Sequence, residues 1–201
     1  MNRAAITFLS IISASSVISG CSARGVTRLE PEQAVDLSGR WNDEDSRLVS
    51  EAMIEQALSS GWHRQHLSSE GKKPVIIVGH VRNLTLEHIN PQTFIKDLER
   101  ALLNSGKAEI VASSTEREEV RAERKDMQRW ASLETVKEPG AETGADYMLK
   151  GVISSILDEE GGRRVVYYQA DLNLVSLRDN IVVWAGQKRI RKFIRRPLFT
   201  F

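Results

Sequence analysis

The rhythm of apolar and polar positions changes several times along this chain, and each change marks an element. From Ala4 to Ile18 every residue is apolar or small, with Arg3 ahead of the run. That run is too short to span a bilayer as a helix and has the build of an export signal. After a stretch without periodicity, Leu48, Val49, Ala52, Met53 and Ala57 recur at helical spacing behind Asn42, a capping residue, and Gly61 follows. Together with Asp43, Glu44 and Asp45 in the first turn, this predicts an amphipathic helix over 43–59. Residues 62–73 carry Trp62, His63 and His66 among polar neighbours and read as a loop. The β-branched run 74–79 reads as a strand buried on both faces. Asn90-Pro91 opens a helix whose stripe is Phe94, Ile95, Leu98, Ala101 and Leu102, closed by Gly106. A second strand is expected over 107–112.

Residues 114–132 predict a charged helix. Ser113 and Glu116 form a capping box, and the apolar stripe is thin: Val120, Met127, Trp130 and Ala131. Three strands follow, over 147–157, 166–174 and 181–188, with turns at 158–162 and 178–180. In the middle strand Val166, Tyr168, Ala170, Leu172 and Leu174 alternate with Tyr167, Gln169, Asp171 and Asn173. The expected fold is an α/β (α+β) sandwich in a single domain: a mixed sheet ending in an antiparallel meander, with helices packed on the sheet. Residues 1–20 are read as the signal peptide, 21–37 as a short tether, and 38–201 as the globular domain. Trp41, Trp130 and Trp184 are expected as core anchors.

Compartment then alters the picture. Ile18-Ser19-Gly20-Cys21 resembles the lipobox of bacterial lipoproteins, in which small residues precede an obligatory cysteine. The resemblance implies a diacylglyceryl group on the Cys21 thiol and an acyl chain on the new amine, with no other cofactor. Several fatty chains hold a protein to a membrane far more firmly than one. Ser22 follows, and by resemblance to enterobacterial sorting this implies the outer membrane, facing the periplasm. Cys21 is the only cysteine, so no disulfide forms within the chain. With Arg3 removed, the mature chain carries 27 basic and 27 acidic side chains. That balance argues against nucleic-acid binding.

Three blocks behind the lipobox carry a wider resemblance. Asp36-Leu37-Ser38-Gly39-Arg40-Trp41-Asn42-Asp43 leads into the first helix, and Gly144-Ala145-Asp146-Tyr147-Met148-Leu149-Lys150-Gly151 opens the meander. Tyr168-Gln169-Ala170-Asp171-Leu172-Asn173-Leu174 is followed by Val183-Trp184. In this order they resemble the penicillin-binding protein activator lipoproteins of the LpoB type, whose domain is similar to the N-terminal domain of TolB and to that of curli-secretion lipoproteins. The resemblance implies an outer-membrane activator, not an enzyme. Its partner would be a bifunctional penicillin-binding protein, contacted at a small regulatory domain. Members carry a long proline-rich tether, whereas this one has about sixteen residues, roughly 55 Å at full extension. The alternative is a non-catalytic assembly or secretion accessory working in an oligomer, although the chain lacks room for the membrane-inserting strands of the curli type.

Candidate chemistry adds little. His63 and His66 stand three apart, but no cysteine or Glu-x-x-His completes a metal site. No nucleophile elbow, Walker loop or dinucleotide fingerprint occurs, so neither catalysis nor a small-molecule substrate is expected. Lys188, Arg189, Arg191, Lys192, Arg195 and Arg196 crowd the tail. They fit either a grip on an acidic partner or anionic lipid, or an edge strand protected by charge. The partner-contact candidates are therefore Trp62, Arg191, Lys192, Arg195 and Arg196.

Overall fold

Asn42 opens the first helix through a reciprocal cap: its Oδ1 accepts from Asp45 N, and Asp45 Oδ2 accepts from Asn42 N, both at 3.0 Å. The computed structural model describes residues 38–130, 132 and 140–195. The expected signal peptide, Cys21, the expected tether and Arg196 lie outside them. Helix α1 runs Asp43–Ser59, as its periodicity predicts. Helix α2 (Gly61–Glu70) overturns the expected loop. Its buried face is built from Trp62, His63 and His66, and polarity counting misses a face of that kind. Trp62 Nε1 donates to Ala57 O (2.8 Å), His63 Nε2 pairs with Lys107 O (3.1 Å) and His66 Nδ1 with Tyr147 Oη (3.0 Å). Each histidine thus has a structural partner of its own.

Strand β1 (Val75–Asn83) is followed by α3 (Pro91–Ser105), capped by Asn90 and ended by Gly106 in the left-handed conformation. Val75, Ile76, Val78 and Val81 are buried, but His80 and Arg82 are exposed, so β1 is covered on both faces only at its start. The second strand, β2 (Glu109–Ile110), is two residues long rather than six. Glu109 N bonds to Pro74 O just ahead of β1 and Val111 N to Ile76 O within it, and the chain then turns into the Ser113 cap. Helix α4 (Ser114–Trp130) follows; then come β3 (Tyr147–Glu160), β4 (Arg163–Ser176) and β5 (Val182–Arg195). These strands run well past the expected limits. Only Gly161 (φ +54) and Gly162 (φ +75) turn the first hairpin, with the paired left-handed residues that match strand twist.

The sheet order is β2-β1-β3-β4-β5. β1 runs parallel to β2 and β3, while β3, β4 and β5 form the antiparallel meander, so the sheet is mixed as expected. Register places Leu149, Gly151 and Ile153 of β3 opposite Leu174, Leu172 and Ala170 of β4, all on one face. That face meets Val49, Met53 and Ile54 of α1, Trp62 of α2, and Phe94, Leu98 and Leu102 of α3. Trp184 closes the core, and Trp41 packs edge-on to Phe94 and Tyr168 at 6.1 and 5.7 Å. Tyr168 Oη donates to Glu87 Oε1 (2.7 Å), while Glu87 Oε2 accepts from Trp41 N (3.2 Å). Burial and the Glu87 carboxylate push the Tyr168 phenol well above its usual range.

Helix α4 buries none of its residues, and Trp130 is 75 % exposed, so it is not the core anchor expected. Polar links hold the helix instead. Lys96 of α3 reaches Glu116 (2.8 Å), Ser113 and Glu116 cap each other's amides, and Arg121 pairs with Glu142. The Lys96 ammonium and the Ser113 donors hold the Glu116 carboxyl down to about 2. A depressed carboxylate stabilises the fold above its unfolded value, near 4.5, and this stability is lost as pH falls from there toward 2. Because the pair is open to solvent, its contribution stays below about 1 kcal/mol. Glu116→Gln is expected to remove that step from an acid titration followed by far-UV circular dichroism; an unchanged titration would show that the link does not hold α4.

Candidate interaction surface

Helices α1, α2 and α3 occupy one face of the meander and leave the other open. The alternation of β4 sends Val166, Tyr168 and Ala170 inward and Val165, Tyr167 and Gln169 outward. On the open face Val165 stands opposite Asp158 and Phe193, Tyr167 opposite Ile156 and Arg191, and Gln169 opposite Arg189. Ile156 is 66 % and Phe193 53 % exposed. An apolar cluster at the end of a sheet, rimmed by arginines, is the composition enriched in protein contact surfaces. The Arg195 guanidinium carbon lies 5.3 Å from the Phe193 ring centroid, which orients both groups.

The five candidates separate here. Arg191 and Arg195 are exposed on β5 beside this cluster, as a partner contact requires. Arg196 lies outside the described residues. Lys192 points the other way, since its strand neighbours alternate faces. Its Nζ contacts Asp45 Oδ2 and donates to Arg40 O (3.1 Å), and only 9 % of its side chain is exposed. It is part of the helix-to-sheet interface and not a partner contact. Trp62, 7 % exposed on α2 and packed at 5.1 Å from the Tyr147 ring, is likewise corrected. The run around it has no apolar stripe, which is why it reads as a loop. Ile156, Val165 and Tyr167 are not among the sequence candidates. The available signal was apolar residues persisting in the polar phase of the distal strands.

The most enzyme-like group in the domain is a cleft of about 760 Å³ beside α2, where His66, Asp146 and Tyr147 meet. His66 Nδ1 pairs with the Tyr147 hydroxyl, and its Nε2 lies 4.0 Å from Asp146 Oδ2. Burial, then the Asp146 charge, raises the Tyr147 phenol.

The domain is a two-layer α/β fold with α1, α2 and α3 on one face of the sheet and an apolar, arginine-rimmed surface on the other. The profile of the peptidoglycan-synthase activator LpoB family matches residues 45–190, most of the domain, and the chain belongs to that family. It is similar to the LpoB C-terminal domain from Salmonella enterica, at 18 % identity over 74 % of this chain and 99 % of that one, with a TM-score of 0.40. The corresponding Escherichia coli domain is 17 % identical over 73 % of this chain and 98 % of that one, with a TM-score of 0.43. The whole Escherichia coli LpoB is 14 % identical over 98 % and 96 %, with a TM-score of 0.41. No curated protein matches the chain significantly. The family acts by activating peptidoglycan synthases.

Proposed function

We propose that this protein is held in the outer membrane, facing the periplasm, by fatty chains on Cys21, and that it activates a bifunctional penicillin-binding protein without catalysing a reaction itself. The observation that carries the contact is the open sheet face, with Phe193 and Ile156 exposed among arginines. Family membership supports a synthase as the partner. Activation works by population shift: the domain binds the active conformation of the synthase more tightly than the resting one, and the difference in affinity sets the size of the effect. The short tether keeps the domain within roughly 55 Å of its lipid, so the partner's docking domain must come to it.

The test uses the mature chain carrying Cys21→Ser. It should recover a penicillin-binding protein in a pull-down from the same bacterium and raise that enzyme's transpeptidase and glycosyltransferase rates. Phe193→Asp should weaken the complex at least tenfold while leaving thermal unfolding unchanged, as expected for an anchor residue. Recovery of the chain itself in rings, or of secretion components, would overturn the activator reading in favour of an assembly accessory. In cells, Cys21→Ser should move the protein from the membrane to the soluble fraction, and retention on the membrane would exclude the lipid anchor.

A further inference from the structure

β5 is the last strand of the sheet, and among the described residues no strand pairs with its outer edge. It is fourteen residues long. Every second residue along that edge presents an N–H and a C=O with no ladder partner. Long edges of this kind are templates for another strand, and proteins ordinarily shorten, bulge or charge them. The one register shift of this pair lies near its start, between Leu174 and Val175 of β4. The length from Trp184 to Arg195 is regular.

Charge selects which strand can be added. Within 182–195 there is no acidic residue, and Lys188, Arg189, Arg191 and Arg195 are exposed. Among the described residues the three arginines meet no carboxylate. Arg189 Nε donates to Gln187 Oε1 (3.0 Å), and Arg195 lies over Phe193. Directly across on β4, Arg195 stands opposite Arg163, Arg191 opposite Tyr167, and Arg189 opposite Gln169, with Asp171 one pair further along the same face. A second copy of this strand would bring like charges face to face, which destabilises a sheet. The same charges attract a strand rich in carboxylates.

We propose that the outer edge of β5 accepts an extended acidic segment of the partner protein as a sixth strand. The inference rests on the reading that the domain works by binding a protein. Backbone hydrogen bonds supply affinity in this mode, and alternate side chains supply selectivity. Arg189, Arg191, Phe193 and Arg195 share the open face. The added strand therefore carries carboxylates opposite the arginines and an apolar side chain opposite Phe193, all in one phase. A slip of one residue would turn the carboxylates to the helix side, so register is set by charge as well as by shape.

The probe is an acetylated nine-residue peptide with Val at its odd positions and Glu, Glu, Val and Glu at its even ones, added to the mature chain carrying Cys21→Ser and labelled for NMR. Hydrogen exchange should slow at least tenfold at those β5 amides that do not bond β4. A peptide N-methylated at alternate residues keeps its charge but loses its ladder donors, and should bind at least tenfold more weakly. Arg189→Glu with Arg191→Glu should abolish binding of the acidic peptide and confer binding of the Lys-Val counterpart. Equal binding of the N-methylated peptide, or unslowed β5 exchange at millimolar acidic peptide, overturns the inference. Synthase stimulation is measured on the same samples to separate the two readings. Stimulation by the parent chain without β5 protection sinks strand addition alone, whereas protection without stimulation sinks the activator reading alone.

Discussion

Lys192→Ala lowers the free energy of unfolding by about 3–5 kcal/mol, a large fraction of the total for a domain of this size. The substitution removes one half of a buried ion pair and leaves the other. Asp45 Oδ2 is shared by the Lys192 ammonium and the backbone amide of Asn42, and the two side chains are 9 % and 8 % exposed. Asp45 is therefore both the reciprocal half of the α1 cap and the clamp that fixes the start of α1 to β5. Without Lys192 its charge is desolvated and held by a single amide. Replacing both partners with apolar residues of similar volume, as in Asp45→Leu with Lys192→Met, should recover most of the loss. Arg191→Ala, one residue away and exposed on the opposite face, should stay within about 0.5 kcal/mol. Urea unfolding of the three variants and the parent checks this. Equal stability of Lys192→Ala and Arg191→Ala would mean that the clamp contributes nothing.

The second large effect belongs to Gly151. A Cβ built there meets the carbonyl oxygen of Asp171 on β4 at far less than contact distance, and Leu172 Cδ2 at 2.5 Å. The carbonyl is main chain in the middle strand of the meander, so it cannot swing aside as a side chain would. Gly151→Ala therefore costs about 3 kcal/mol or more, at the upper end for overpacking, and Gly151→Val costs more still. Gly61, at the start of α2, serves as the control. A Cβ there meets nothing within 4 Å, so Gly61→Ala should be neutral or stabilising, by up to about 1 kcal/mol. Thermal unfolding separates the two cases. A Gly151→Ala protein that melts with its parent would show that β3 and β4 can part at no cost.

The pair at Asp45 and Lys192 also shows how much of the contact surface was legible beforehand. Arg191, Lys192 and Arg195 look alike in a basic tail, and nothing local distinguishes them. Strand alternation does, once β4 fixes which phase faces α1. Trp62 was hidden for a related reason. Its helix is amphipathic only if histidines count as buried, and they do so because His63 and His66 find partners at Lys107 and Tyr147, far away in the chain. α4 shows the opposite failure, for its Trp130 is apolar yet has no core to enter.

The sequence alone determined the positions of α1, α3 and α4, the existence of the meander and the inward phase of β4. Caps, helical stripes and strand alternation act between residues at most four apart, so they are written in the chain itself. It also held the three blocks that resemble the activator family. The tertiary structure alone decided which tail cation is buried, which tryptophan is covered, how short β2 is, and that the open face joins Ile156, Tyr167 and Phe193 beside an edge that no strand of the described residues pairs. Those outcomes depend on segments that meet only after the sheet has formed, and on the cost of burying a charge, which has no value until a partner across the fold is in place.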